Sequence, residues 1–259
     1  MPSQAAPGGT CRLCLRIESL QRSHAIPRFV LKWLRETGAR KFYGIKRPRQ
    51  VIQDSPTRYL LCAQCEQRFS VWERWFAQHV LRRSPVAGEG IEYGSELYLF
   101  GLSVLWRIAV LAPDMWEVEW PAFARAIAAR SEEWRRFLIG DSETASSLHL
   151  FVASRGGMAL PREVPGFDQY VLRFSDGTLA GGKRRCYAFA KFAHFVVFAS
   201  VAGVPFDETV VENTLVSPFG GRLLLDHQWI GDQDFTGMLL GRTEALNAAR
   251  QAAGLPALR

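Results

Sequence analysis

Two pairs of cysteines are candidate metal ligands because they share one spacing, Cys-x-x-Cys. Cys11 and Cys14 form the first pair, in the sequence CRLC. Cys62 and Cys65 form the second, in CAQC. Thiolates prefer a soft, tetrahedral cation, and four of them close its coordination shell with no open position for a substrate. The pattern predicts a structural zinc site, against the alternative of two unrelated pairs of buried or redox-active cysteines.

The elements around these pairs favour a treble clef. The chain between the pairs is longer than in a compact zinc ribbon. In a treble clef a knuckle supplies one pair of ligands and the start of a helix supplies the other. Apolar residues at helical spacing predict that helix over residues 64–82, and an earlier helix that begins near Pro27 and ends at Gly38. Two short strands are predicted between them, over 41–45 and 58–61.

The positive charge of the chain is concentrated around the cysteines. Residues 11–83 hold 16 Lys and Arg against 5 Asp and Glu, a net charge of +11, whereas residues 84–259 hold 16 against 20, a net charge of −4; together they give +7. Phosphate contacts supply most of the sequence-independent affinity for nucleic acids, so this asymmetry predicts a module that faces nucleic acid. The alternative is an arginine-rich surface that is only solvated. The candidate phosphate-binding side chains are Arg22, Arg28, Lys32, Lys46, Arg47 and Arg49.

Composition divides the chain into four predicted segments. They are a loose leader over 1–10, the basic zinc module over 11–83, a linker rich in Pro and Gly over 84–94, and an α+β domain of unassigned role over 95–259. In the last segment helices are predicted over 96–112, 121–139 and 235–253, and strands over 148–153, 170–174, 186–201 and 222–225. The predicted fold class is α+β: an N-terminal ββα or treble-clef zinc module, then a helical segment, then a mixed or antiparallel sheet.

Cysteine usage and hydropathy indicate the compartment. Four of the five cysteines fall in metal-type pairs, which suits a reducing compartment better than a secreted disulfide framework. The first ten residues lack the charged and apolar regions of a secretory signal. The most apolar later stretch, 186–206, contains Lys191 and His194, which argues against a membrane span. We therefore expect a cytoplasmic protein without membrane contact.

Three motifs, in this order, resemble the zinc-stapled HNH endonucleases: CRLC at 11–14, SHAIP at 23–27 and LLCAQCE at 60–66. The resemblance covers the N-terminal third of the chain. It implies a ββα-metal fold, hydrolysis of phosphodiester bonds with the help of a divalent ion, and a substrate that is DNA more often than RNA. A role in bacterial defence would also fit the family.

The resemblance assigns roles to two further residues. His24 matches the histidine that deprotonates a water for attack on phosphorus. Glu66 stands where the family has His or Asn, and its carboxylate could ligate Mg²⁺ or Mn²⁺. The sequence departs from the family at Ser23, where an acidic ligand is usual, and at Thr57, where Asn is usual.

Other interpretations of these residues stay open. His24 could instead order the knuckle by bonding a backbone carbonyl, and Glu66 could serve only to complement the helix dipole. A non-catalytic module would use the same basic side chains to bind phosphates. Six tryptophans could instead form a protein-interaction surface, with a partner or in an oligomer. They are Trp72, Trp75, Trp106, Trp116, Trp120 and Trp134. Arg107, in the apolar segment LSVLWRIAV, is either a buried pairing residue or one whose head extends to the surface.

Overall fold

The computed structural model describes residues 6–37, 42–44, 47–52, 57–82, 90–115, 123–153, 158, 160–181, 184–224 and 228–258. The helices are α1 (Arg28–Glu36), α2 (Ala63–Phe76), α3 (Ser95–Met115), α4 (Ala124–Ile139), α5 (Phe167–Arg173) and α6 (Gln233–Ala252). The strands are β1 (Gly8–Thr10), β2 (Ile17–His24), β3 (Phe42–Gly44), β4 (Arg47–Ile52), β5 (Thr57–Cys62), β6 (Gly90–Tyr93), β7 (Leu148–Val152), β8 (Ser175–Gly181), β9 (Arg185–Phe192), β10 (Phe195–Gly203), β11 (Leu215–Val216) and β12 (Gly221–Leu224). The predicted α+β class is confirmed.

A small antiparallel sheet and a helix build the N-terminal region. The strand order is β1-β2-β5, and β5 leads directly into α2, so β2, β5 and α2 form a ββα unit. The predicted helix over 64–82 is confirmed, because α2 continues into a π-helical turn, Ala77–Leu81. The sequence does not predict β2, since IESLQRSH is mostly polar and its pairing depends on a strand distant in the chain. β3 and β4 pair with each other as a separate hairpin.

Two long helices connect this region to the rest of the chain. α3 packs against α2, α4 and the strands β8, β9 and β10, and its described side chains are almost all buried. Gly101 permits the close approach of α3 to the sheet, because a Cβ there would lie 3.0 Å from side-chain atoms of Leu148 and Val197. α4 ends at Gly140, whose φ of 86° and backbone hydrogen bonds to the last turn form a left-handed cap.

A five-stranded antiparallel sheet forms the centre of the second part, in the order β11-β7-β10-β9-β8. Alternate residues of β9 belong to different hydrophobic clusters. Ala188 and Ala190 face α3, whereas Tyr187 and Phe189 face the cluster that includes α6. Small residues thus accept the helix on one face and large rings fill the other. The predicted stretch 186–201 is a hairpin of β9 and β10, both buried.

One predicted strand is wrong. Residues 170–174 lie in and just after α5, not in a sheet. Their β-branched and aromatic composition favours a strand, but Phe167, Tyr170 and Val171 are buried in the same cluster, at the i, i+3 and i+4 spacing of one helix face. The strand follows instead at β8, whose sequence SDGTLAG has low strand propensity and is held by its pairing with β9.

The larger hydrophobic cluster is continuous from the N-terminal region into the second part, with members from Cys11 to Leu223. The burial of the knuckle is therefore shared with α3 and α4. Within the ranges given above, no helix combines the length and hydropathy that a membrane crossing needs.

Candidate metal centre and basic surface

The four paired cysteines converge on one point. Their Sγ atoms all lie within 4.8 Å of one another, and those of Cys14 and Cys62 are 3.9 Å apart. Four sulfurs at about 2.3 Å from a tetrahedral zinc would be about 3.8 Å apart. Cys14 is half-buried and the other three are buried. Among the described residues this is the one cluster of three or more His, Cys, Asp or Glu that could hold a metal ion.

Backbone hydrogen bonds shape the knuckle that carries the first pair. The amide of Leu15 donates to the carbonyl of Cys11 (2.8 Å), and the amide of Cys11 donates to the carbonyl of Arg16 (2.8 Å). The turn requires a left-handed conformation at Leu15, with φ 62°, which few non-glycine residues adopt. The amide of Cys62 donates to Sγ of Cys11 (3.3 Å), so β5 is bonded directly to the ligand cluster.

The second pair uses the start of a helix. Cys62 is the N-cap of α2 and Cys65 lies in its first turn, where exposed amides and the helix dipole favour thiolates. Burial raises the pKa of both thiols. Burial would also raise the pKa of Cys14, but hydrogen bonds from Arg16 outweigh it and lower that pKa to about 6. A cation that bound all four sulfurs would therefore displace protons from the more basic thiols.

The knuckle is anchored from the second part of the chain. Arg135 of α4 donates from Nη1 to the carbonyl of Leu13 (2.9 Å), between the two cysteines of the first pair. Glu132 holds the same guanidinium by two contacts of 2.7 Å. Arg68 of α2 donates to the carbonyl of Leu138 (3.1 Å). The sequence gives no sign of the role of Arg135, because its partner is a backbone carbonyl far away in the chain.

Arg107 connects α3 to both β2 and α2, and it is 2% exposed. Its Nη1 donates to the carbonyl of His24 (3.1 Å), and its Nη2 lies 2.8 Å from the carboxylate of Glu73. Its Nε donates to the carbonyl of Ser103 (3.2 Å), and its guanidinium carbon lies 5.3 Å from the centre of the Phe69 ring. Of the two interpretations of this arginine, the buried pairing residue is confirmed.

The two candidate catalytic residues lie beside the same strand. Ser23 donates its hydroxyl hydrogen to Glu66, and His24 is the next residue. Adjacent residues of a strand face opposite sides, so the register places Glu66 on the side of Ser23. His24, opposite Thr57, belongs to the other side. His24 and Glu66 are both half-buried. Their joint action on one divalent ion stays a prediction.

The candidate phosphate-binding residues fall into two groups. Arg22 in β2 and both Arg28 and Lys32 in α1 are exposed. Arg28 and Lys32 are four residues apart and so lie on one face of the helix. Lys46 is outside the described residues, and β4 contains Arg47 and Arg49, whose side chains are likewise not described. The sequence analysis did not single out Tyr59, an aromatic residue on the same sheet whose ring is exposed. Its place in the predicted strand 58–61 could have indicated it.

Comparison of the chain with protein-family models, with curated proteins and with solved structures finds no match. The resemblance to HNH endonucleases thus depends on the three short motifs. The structure supports the zinc-binding part of that resemblance, because the four cysteine sulfurs lie close enough together to bind one metal ion.

Proposed function

We propose that this protein is a zinc-stabilised nucleic-acid-binding protein whose N-terminal module contacts the phosphate backbone. The observation that carries the proposal is the cluster of four sulfurs within 4.8 Å, whose cysteines belong to the segment 11–83 with a net charge of +11. Four thiolates fill a tetrahedral shell, so the zinc would stabilise the fold and would not activate a substrate.

The described basic side chains of the module are exposed to solvent, where a phosphate group can approach them. Two exposed carboxylates, Glu18 and Glu36, offset them in the described part of the module. Glu66 and Glu73 are half-buried and engaged by Ser23 and Arg107. The exposed basic residues are Arg12, Arg16, Arg22, Arg28, Lys32, Arg35, Arg58, Arg68, Arg74 and Arg82.

A protein-interaction surface made of tryptophans receives less support. Of the six tryptophans that suggested it, Trp106 and Trp134 are buried, and Trp72 and Trp75 are half-buried against the core. The remaining two, Trp116 and Trp120, lie outside the described residues.

An HNH-type endonuclease that requires Mg²⁺ or Mn²⁺ is the second candidate. The observation that favours it is the position of His24, half-buried and two residues from exposed Arg22 on one side of β2. A phosphate bound by Arg22 would lie close to an imidazole that can accept a proton from water. Glu66 is the carboxylate predicted to bind the hard divalent ion, but it bonds Ser23 on the other side of β2 and does not face a phosphate held by Arg22, so His24 carries this candidate.

Salt dependence of binding tests the first candidate. We expect the binding constant of a labelled DNA duplex to fall with salt, with a log–log slope of about −0.9 per phosphate contact. Replacing Arg28 and Lys32 by Gln should make that slope less negative by about 2, because two contacts are lost. The matched control is Arg125→Gln, an exposed arginine of the second part, which should leave the slope unchanged. Equal effects of both changes would contradict a specific basic surface.

Cleavage assays test the second candidate. Plasmid DNA, single-stranded DNA and RNA are incubated with the protein and Mg²⁺ or Mn²⁺, and zinc content is measured on the same preparations. Cleavage should be lost in His24→Ala while zinc and binding remain, and Glu66→Gln tests whether the carboxylate on the other side of β2 takes any part. His79→Ala, which changes an exposed histidine of the same module, is the control and should cleave normally. Absence of cleavage on every substrate, with binding intact, would leave the non-catalytic module.

A further inference from the structure

Among the side chains that the structure describes in the basic module, one aromatic ring is exposed. Among the described residues, three aromatic side chains are exposed: Tyr59 at 44%, Phe219 at 92% and Trp229 at 37%. Phe219 and Trp229 belong to the second part of the chain, whose net charge is negative. Tyr59 lies in β5, three residues before the cysteine that begins α2. An exposed ring surrounded by positive charge is the combination that binds bases and phosphates together.

The strand register places basic and polar side chains next to this ring. Tyr59 is directly opposite Arg22 in the β2–β5 pair, and the next pair on the same side is Thr57 opposite His24. Side chains of opposite residues are about 5 Å apart at Cβ. Arg22 also donates from Nη2 to the hydroxyl of Thr57 (2.9 Å), which holds the guanidinium on this side of the sheet.

We propose that this side of the β2–β5 pair, formed by Arg22, His24, Thr57 and Tyr59, binds single-stranded nucleic acid. A base stacks on the ring of Tyr59, and the adjoining phosphate contacts the guanidinium of Arg22. The proposal rests on the function proposed above and names the substrate class of the same module.

Stacking selects single strands over duplexes. In a duplex the faces of each base are covered by neighbouring bases, so a ring on a sheet surface can stack only on a base that is unpaired and splayed out. The phosphates of a duplex remain accessible to the arginines of the module. Arg22 therefore contributes to both kinds of binding, whereas Tyr59 contributes to single strands alone.

Binding of matched single-stranded and duplex oligonucleotides tests the proposal, with DNA and RNA versions of each. Tyr59→Ala should weaken single-strand binding roughly 5- to 150-fold, the range for loss of one stacked base. It should leave duplex binding nearly unchanged. Tyr59→Phe keeps the ring and should bind like the wild type. Phe219→Ala, which removes the exposed ring of the acidic part, is the matched control and should change neither.

The outcomes separate this proposal from the one before it. In one outcome, duplexes bind at least as tightly as single strands and Tyr59→Ala weakens neither. This result overturns the stacking site but not the nucleic-acid-binding module. Equal weakening of both substrates also overturns it. No binding of any oligonucleotide overturns both proposals.

Photocrosslinking tests the same site without a variant. A single-stranded oligonucleotide that contains 5-iodouracil is irradiated with the unchanged protein, which is then digested with trypsin. Cleavage after Arg58 and Arg68 isolates residues 59–68, in which Tyr59 is the only aromatic residue. Tandem mass spectrometry should place a crosslink on Tyr59. Crosslinks confined to other peptides would overturn the proposal, whatever the variants show.

Discussion

Removal of the Arg107 guanidinium should destabilise the protein more than removal of an exposed one. Arg107→Met keeps an apolar side chain of similar length but takes away the donors to the carbonyl of His24 and the ion pair with Glu73. These two contacts connect α3 to the strand and helix that carry the candidate catalytic residues. The variant therefore tests whether the second part of the chain holds the N-terminal module in place.

The size of the effect follows from three contributions. A part-buried carbonyl at His24 that loses its donor costs about 1–3 kcal/mol. Glu73, whose side chain is 21% exposed, keeps part of its hydration, so its loss of a partner costs about 1–2 kcal/mol. The contact between the guanidinium and the ring of Phe69 adds about 0.5–1 kcal/mol. We expect Arg107→Met to lower the free energy of unfolding by about 3–5 kcal/mol, as for other broken buried pairs.

Urea unfolding, followed by circular dichroism at a fixed free zinc concentration, measures this change. Arg162→Met removes an exposed arginine paired with Glu244 and should cost less than about 1 kcal/mol. Glu73→Gln should cost at least about 1 kcal/mol less in the Arg107→Met background than in the wild type, because the pair is already broken. Equal costs at positions 107 and 162, or strictly additive costs at 73 and 107, would refute this reasoning.

Three further predictions concern the second part of the chain. Burial lowers the pKa of His149 to about 4 from its usual value near 6.5, so the unfolded chain binds the proton more readily than the folded one. The free energy of unfolding should be unaffected above pH 6.5 and should fall by about 3 kcal/mol as the pH drops to 4. His149→Asn should abolish this loss, and its amide keeps a donor for the hydroxyl of Thr214. Asp176→Asn should cost about 2–4 kcal/mol in urea unfolding, because it leaves Arg242 largely buried without its charge partner. Glu244→Gln, at an exposed pair, should cost less than about 1 kcal/mol in the same assay, and a cost like that of Asp176→Asn would contradict the difference in burial.

Features that depend on local sequence could be predicted. The two Cys-x-x-Cys pairs indicate their own convergence, because the spacing suits one knuckle and one helix start. α2 and α6 follow from apolar residues at helical spacing over many turns. The short helix α5 could not be separated from a strand, since seven residues give too little periodicity.

Features that depend on pairing between distant residues could not be predicted. The apolar segment around Arg107 shows that this arginine needs a partner, but not that the partners are Glu73 and the carbonyl of His24. Likewise, the bond between Ser23 and Glu66 follows from the position of β2 on β5. Once that register is known, it shows which residues of β2 share a side and that Tyr59 lies opposite Arg22.

The metal content of the purified protein tests the central claim most directly. Elemental analysis of unmodified protein should find one zinc ion per chain, released when a mercurial reagent titrates the thiols. Cys65→Ser, which removes one sulfur of the cluster, should lose most of the zinc. Cys186→Ser, which changes a buried cysteine of β9 outside the cluster, should retain it. A folded protein without metal, whose four paired cysteines titrate as free thiols or as disulfides, would contradict the claim.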